Sequence, residues 1–63
     1  MLLSSCAIGT KLRYYDAFRR RGLIATITAK VDTLVEVQRE NSTLRLWLPK
    51  DTPVLEILEV AGG

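Results

Sequence analysis

The chain has no histidine and a single cysteine, Cys6. Without histidine the commonest general base is missing, and nucleophile–histidine catalysis is excluded. A metal site would have to combine Cys6 with carboxylates, a poor set for zinc. One cysteine permits no internal disulfide, which points to a reducing, cytoplasmic setting. No run approaches the roughly 20 apolar residues of a membrane helix. Met1-Leu2-Leu3-Ser4-Ser5-Cys6-Ala7 lacks the basic flank and the apolar length of an export signal, so no membrane role is expected. No paired carboxylates, glycine-rich phosphate loop or nucleophile–base arrangement stands out. The expectation is a binding protein that is not an enzyme and needs no cofactor.

What is present is ordinary globular material. The 63 residues are 48% apolar and 25% charged. That supports one domain over 1–63, with a small core that buries roughly 60% of the unfolded surface. Net charge is +2, but unevenly spread. Residues 1–30 hold Lys11, Arg13, Arg19, Arg20, Arg21 and Lys30 against Asp16 alone, a net of +5. Residues 31–63 hold three cations against six carboxylates, a net of −3. The asymmetry suggests a face that attracts anions, unless the fold mixes the charges in space.

Hydrophobic periodicity predicts five short strands. Thr10 to Tyr15 alternates, with Leu12 and Tyr14 on the core side and Lys11, Arg13 and Tyr15 opposite. A helix from Thr10 to Arg21 is the rival reading, but its apolar positions form no clean stripe. Asp16 to Arg21 is then a loop that Asp16 caps or braces, ended by Gly22 where the chain reverses. Leu23 to Ala29 carries four β-branched residues. Ile24 and Ile27 are three apart, which predicts a bulge between them that turns both inward. Leu34 to Arg39 turns Val35 and Val37 inward. Glu40-Asn41-Ser42 is a tight turn with Asn41 left-handed, and Asp32 sits in the turn before it. Thr43 to Leu48 places Leu44, Leu46 and Leu48 inside, with Arg45 and Trp47 outside. Pro49 ends that strand, and Pro49 to Pro53 is a tight loop or one turn of 3₁₀ helix. Val54 to Val60 is apolar on both faces and its inner side is undetermined. Residues 1–8 read as a frayed segment with an inert Cys6, and 61–63 as a flexible tail. The whole reads as an all-β, five-stranded small barrel, because closure protects strand edges.

These residues resemble the SH3-like small barrel of the KOW and Tudor type. The resemblance rests on Gly9-x-x-Leu12-Arg13, Gly22-x-Ile24-x-x-Ile27, Val35-x-Val37 and Thr43-x-Arg45-x-Trp47-Leu48, and spans Gly9 to Val60. Leu12-Arg13-Tyr14-Tyr15-Asp16 before a basic loop is similar to the start of the retroviral-type integrase C-terminal barrel, which implies DNA binding. The same layout resembles small barrel subunits of photosynthetic complexes, which implies docking to an acidic protein. Gly62-Gly63 after a strand resembles the sulfur carriers of the β-grasp fold, although too few residues precede the loop for that fold's opening hairpin.

The sharpest functional feature is Phe18-Arg19-Arg20-Arg21. Three crowded guanidiniums invite an anion, and their forks match phosphate and carboxylate. The plain alternative is a solvated loop. Arg13, Tyr15, Arg45 and Trp47 would add an outward surface of cations and aromatics that can stack bases or receive a protein. Trp47 could instead fold over a barrel end. Tyr14 reads as core. The expected partner is DNA or RNA, or else an acidic protein or host complex, with self-association left open.

Overall fold

The computed structural model describes residues 1–61. Five antiparallel strands form one sheet: β1 (Lys11–Asp16), β2 (Arg21–Val31), β3 (Leu34–Arg39), β4 (Arg45–Pro49) and β5 (Val54–Glu59). Their order across the sheet is β4-β3-β2-β1-β5. β1 to β4 pair successively as hairpins, and β5 returns to lie beside β1 and does not pair with β4. β4 and β5 are the two edges, and the sheet is not closed. The molecule measures 30 × 25 × 23 Å. A flat single sheet would be only about 10 Å thick, so this one coils strongly on itself.

The rival helix over Thr10 to Arg21 does not form. The only helical segment among the described residues is a 3₁₀ turn, Leu3–Ser5. The β-grasp resemblance therefore lacks its helix, and Gly62-Gly63, which prompted it, lies outside the described residues. None of the described helices is long and apolar enough to cross a membrane.

Alternation decides what is inside. Leu12 and Tyr14 of β1, Ala25 and Ile27 of β2, and Val35 and Val37 of β3 are buried, with Leu23, Leu46 and Leu48 packed against them. Four sequence expectations need correction. Ile24 faces outward, because Leu23, Ala25 and Ile27 keep strict alternation. The bulge falls one turn of the pleat later, where Thr28 is skipped between Ile27 and Ala29 in the pairing with β3. Leu44 precedes β4 and is 66% exposed, so only Leu46 and Leu48 of the leucine trio pack inward. Gly22 lies within β2 and not at the reversal; positive backbone φ falls at Arg20, at 56°. Asp32 and Asn41 take the other two left-handed turn positions, φ 32° and 65°, as their residue types allow.

Residues 1–8 are not frayed. Leu3 is completely buried and Cys6 nearly so, both in the core. The Leu3 N–H donates to the Thr52 carbonyl at 3.1 Å and the Ser4 N–H to that of Lys50 at 3.0 Å. The Val54 N–H donates to the Met1 carbonyl at 2.8 Å. Gly9, at φ 96°, then turns the chain into β1. A side chain there would be strained and would also meet the Ala61 Cβ at 3.3 Å.

The ambiguous strand β5 resolves through two register shifts against β1. Leu12 pairs with Ile57 and Lys11 with Glu59, which leaves Leu58 unmatched. Tyr14 pairs with Val54 and Arg13 with Glu56, which leaves Leu55 unmatched. Each shift ejects one leucine, so Val54 and Ile57 half-bury while Leu55 and Leu58 are exposed. A run that is apolar on both faces thus becomes a strand with one inner side.

Candidate nucleic-acid interface

The β1–β2 hairpin carries its tip on the four residues Ala17 to Arg20. The tip is organised by Asp16, whose Oδ1 accepts the backbone N–H groups of Phe18 at 2.9 Å and Arg19 at 3.1 Å. Its Oδ2 accepts from the Arg19 guanidinium at 3.0 Å. The Arg19 N–H bond, foremost, holds the Asp16 carboxyl below the usual carboxylate range, with the guanidinium and the Phe18 N–H adding to it against partial desolvation. The expected cap-and-brace role of Asp16 is what the geometry provides.

That arrangement divides the arginines. Arg19 is engaged by Asp16. Arg13 is engaged by Glu56 of β5. Arg45 lies 3.8 Å from Glu36. Among the described residues, no carboxylate pairs with Arg20 or Arg21. Phe18 stands beside them 91% exposed. A phenyl ring so exposed contributes almost no burial to the fold.

Two open clefts lie along the β1–β2 hairpin, of which the second borders the tip. One, of about 450 Å³, is lined chiefly by Arg13, Arg21, Ile24, Arg39 and Asn41, with the Glu40 carboxylate among them. Arg39 was not singled out by the sequence reading. It sits at the end of β3, opposite Ala25 of β2, and also lacks a carboxylate partner among the described residues. Nothing local in Gln38-Arg39-Glu40 signals this; the β2–β3 pairing brings Arg39 to Arg21's side. The other cleft, of about 390 Å³, is lined chiefly by Tyr14, Tyr15, Phe18, Leu46, Leu48 and Pro49. It opens between the tip and the inner side of β4. Tyr14 is buried as expected, but its hydroxyl has no hydrogen-bond partner. Burial raises the Tyr14 phenol above its usual value, with Arg39 opposing.

The structure brings six of the eight predicted site residues to one end of the sheet. Tyr15, Phe18 and Arg19 border the apolar cleft, and Arg13 and Arg21 the cationic one, with Arg20 on the tip between them. Arg45 and Trp47 are elsewhere. They lie on the edge strand β4, separated from β1 by β3 and β2, and line neither cleft. Trp47 is 46% exposed and pairs with Glu36, so it does not seal the core. The composite surface of Arg13, Tyr15, Arg45 and Trp47 is therefore two separate patches.

Among the described residues, no three Cys, Asp or Glu side chains gather to hold a metal ion. Comparison with protein-family models, with curated proteins and with solved structures found no match.

Proposed function

We propose that this chain is a non-enzymatic nucleic-acid-binding module of the SH3-like small-barrel type, acting in the cytoplasm, whose binding element is the β1–β2 tip. The barrel assignment is supported by the meander order with β5 returning beside β1, by the bulge at Thr28, the eighth residue of the eleven-residue β2, and by the near-equal dimensions. The observation that carries the function is the state of the tip. Arg20 and Arg21 are exposed beside an exposed Phe18 and are not neutralised by any carboxylate of the described residues. Arg20 moreover holds a left-handed φ of 56°, where glycine would cost less. A cation kept at a position that favours glycine suggests that the charge is wanted there.

Binding would be mainly electrostatic, with Arg20, Arg21 and Arg39 meeting phosphates and little base-edge readout. The test is fluorescence anisotropy of a labelled oligonucleotide across a salt series. Three phosphate contacts predict a loss of roughly 20- to 40-fold between about 50 and about 200 mM salt. Affinity that is flat with salt, or no binding at low salt and micromolar protein, removes the proposal.

A second reading rests on a different observation. Leu55 and Leu58 are ejected onto the surface of edge strand β5, and Val60 follows them 80% exposed. An apolar surface of a host complex, or a second copy of the chain, would cover that edge, whereas an acidic protein would dock on the basic tip. Concentration-dependent sedimentation that Leu58→Lys abolishes would favour it over the first.

A further inference from the structure

We infer that the corner where β3 ends is a discrete oxyanion site for a phosphate dianion, so that the chain holds its nucleic acid by a phosphorylated strand end; this rests on the nucleic-acid reading above. Strand register makes the corner. The Glu40 N–H donates to the Ile24 carbonyl at 2.9 Å. The chain then turns away at Asn41, φ 65°, so the β2–β3 ladder stops there. In an antiparallel ladder every second residue turns its amide to the same neighbour. Gly22, two residues before Ile24, therefore aims its N–H past the end of β3. Its partner across β1 is Tyr15, whose own N–H turns the other way, to the Pro53 carbonyl at 3.0 Å. The Gly22 amide is thus left facing the cleft of about 450 Å³ that this residue lines with Arg21, Arg39 and Asn41.

The charges around that amide are unequal. Arg13 is engaged by Glu56, and the Glu40 carboxylate by Lys11 at 3.4 Å. Arg21 and Arg39 make no ion pair and no side-chain hydrogen bond among the described residues. Arg39 shares the parity of buried Val35 and Val37 along β3 and is half-buried. A guanidinium drawn from water without a partner is costly, and an anion beside it removes that cost. Two unmatched guanidiniums and a backbone N–H suit the oxygens of one phosphate. Charge selects its form. A phosphodiester carries a single negative charge and leaves one guanidinium unmatched, whereas a phosphate monoester carries about −1.5 to −2 at neutral pH. In a nucleic acid the monoester is found at a strand end. A phosphorylated peptide offers the same group, but its chain brings no further phosphates to Arg20. The diesters that follow a strand end do, because Arg20 precedes Arg21 on the tip and has no carboxylate partner among the described residues.

The experiment titrates the full chain with one labelled single strand carrying a 5′-phosphate, a 3′-phosphate or hydroxyl ends, at one low salt concentration. A phosphorylated strand is expected to bind roughly tenfold tighter than the hydroxyl-ended one, through charge-assisted hydrogen bonds. Inorganic phosphate should displace it and shift the Gly22 amide in ¹⁵N-resolved NMR. Arg21 is exposed and unpaired among the described residues, so Arg21→Ala will fold, and it should lose the preference. Arg39→Lys keeps the charge without the fork and should lose most of it. Arg20→Ala should weaken all three strands alike and keep the preference. Equal, salt-sensitive binding of the three strands overturns the oxyanion site and leaves the basic tip standing. A Gly22 amide unmoved by inorganic phosphate also overturns it. No binding of any strand overturns both readings. A phosphoserine peptide that binds as tightly as the phosphorylated strand assigns the corner to a protein and overturns the inference.

Discussion

Asp16 grips Arg19 at both ends. One carboxylate oxygen accepts that residue's backbone N–H at 3.1 Å, and the other accepts from its guanidinium at 3.0 Å. The three arginines of the tip are therefore not equivalent. Arg19 is tied into the turn, and Arg20 and Arg21 have no carboxylate partner among the described residues. Arg19→Ala should weaken nucleic-acid binding less than Arg20→Ala or Arg21→Ala, in titrations at one salt concentration. Asp16→Ala should release the Phe18 and Arg19 amides, seen as faster hydrogen exchange at those two positions. The pH dependence has a definite sign. The Asp16 carboxyl is depressed in the folded chain, so its contribution is intact above the usual carboxylate range. It is lost as pH falls through the depressed value, and tip protection should fade only there.

Arg20→Gly separates stability from function. Position 20 has φ 56°, which glycine adopts without a Cβ penalty. The variant should fold as well as the parent, or up to about 1 kcal/mol better in urea denaturation. It should nonetheless bind oligonucleotide more weakly. Loss of stability with binding intact would mean that the arginine serves the turn.

Gly22 is needed for space and not for its backbone angle. A Cβ there would lie 2.7 Å from Arg13 Cδ, 2.9 Å from Arg13 Cγ and 3.0 Å from Leu55 Cδ1. Arg13 crosses this glycine to reach Glu56. Gly22→Ala should cost about 1–3 kcal/mol by overpacking. Truncating Arg13 removes most of the obstruction, so the same change should cost distinctly less in an Arg13→Ala background. Equal costs in both backgrounds would refute the contact.

Leu3 makes the opening segment part of the core. Its complete burial predicts that Leu3→Ala costs about 2–5 kcal/mol. In a domain this small that approaches the whole stability. Thermal unfolding of Leu3→Ala beside Leu2→Ala, where Leu2 is 40% exposed, measures the difference.

Tyr14→Phe should not destabilise the free protein, unlike most losses of a buried hydroxyl. The hydroxyl has no partner to lose, so the change should be neutral or slightly stabilising. Burial raises the folded phenol, so the parent's stability is complete below the unfolded value of about 10 and falls as pH rises through the raised one. Tyr14→Phe should remove that part of the alkaline loss in denaturation curves taken across the range.

Much of this molecule was legible along the chain. Val35-Glu36-Val37-Gln38 and Leu12-Arg13-Tyr14-Tyr15 alternate, and each folds as a strand with its alternate residues buried. Asn41 and Asp32 adopt the left-handed turns their short polar side chains permit. Asp16 caps the tip because its carboxylate reaches amides two and three residues ahead. Such features depend on a few adjacent residues, so local chemistry determines them. The inner side of Val54 to Val60 was not legible, because the run is apolar on both faces and only the register against β1 sets its two bulges. Other features depend on partners far away along the chain. Burial of Leu3, the crowding at Gly22, the arrival of Arg39 beside Arg21 and the separation of Trp47 from the tip all follow from strand order and register. Residues distant in sequence meet only when the sheet coils, and no local periodicity encodes which edge strand ends up three places from β1.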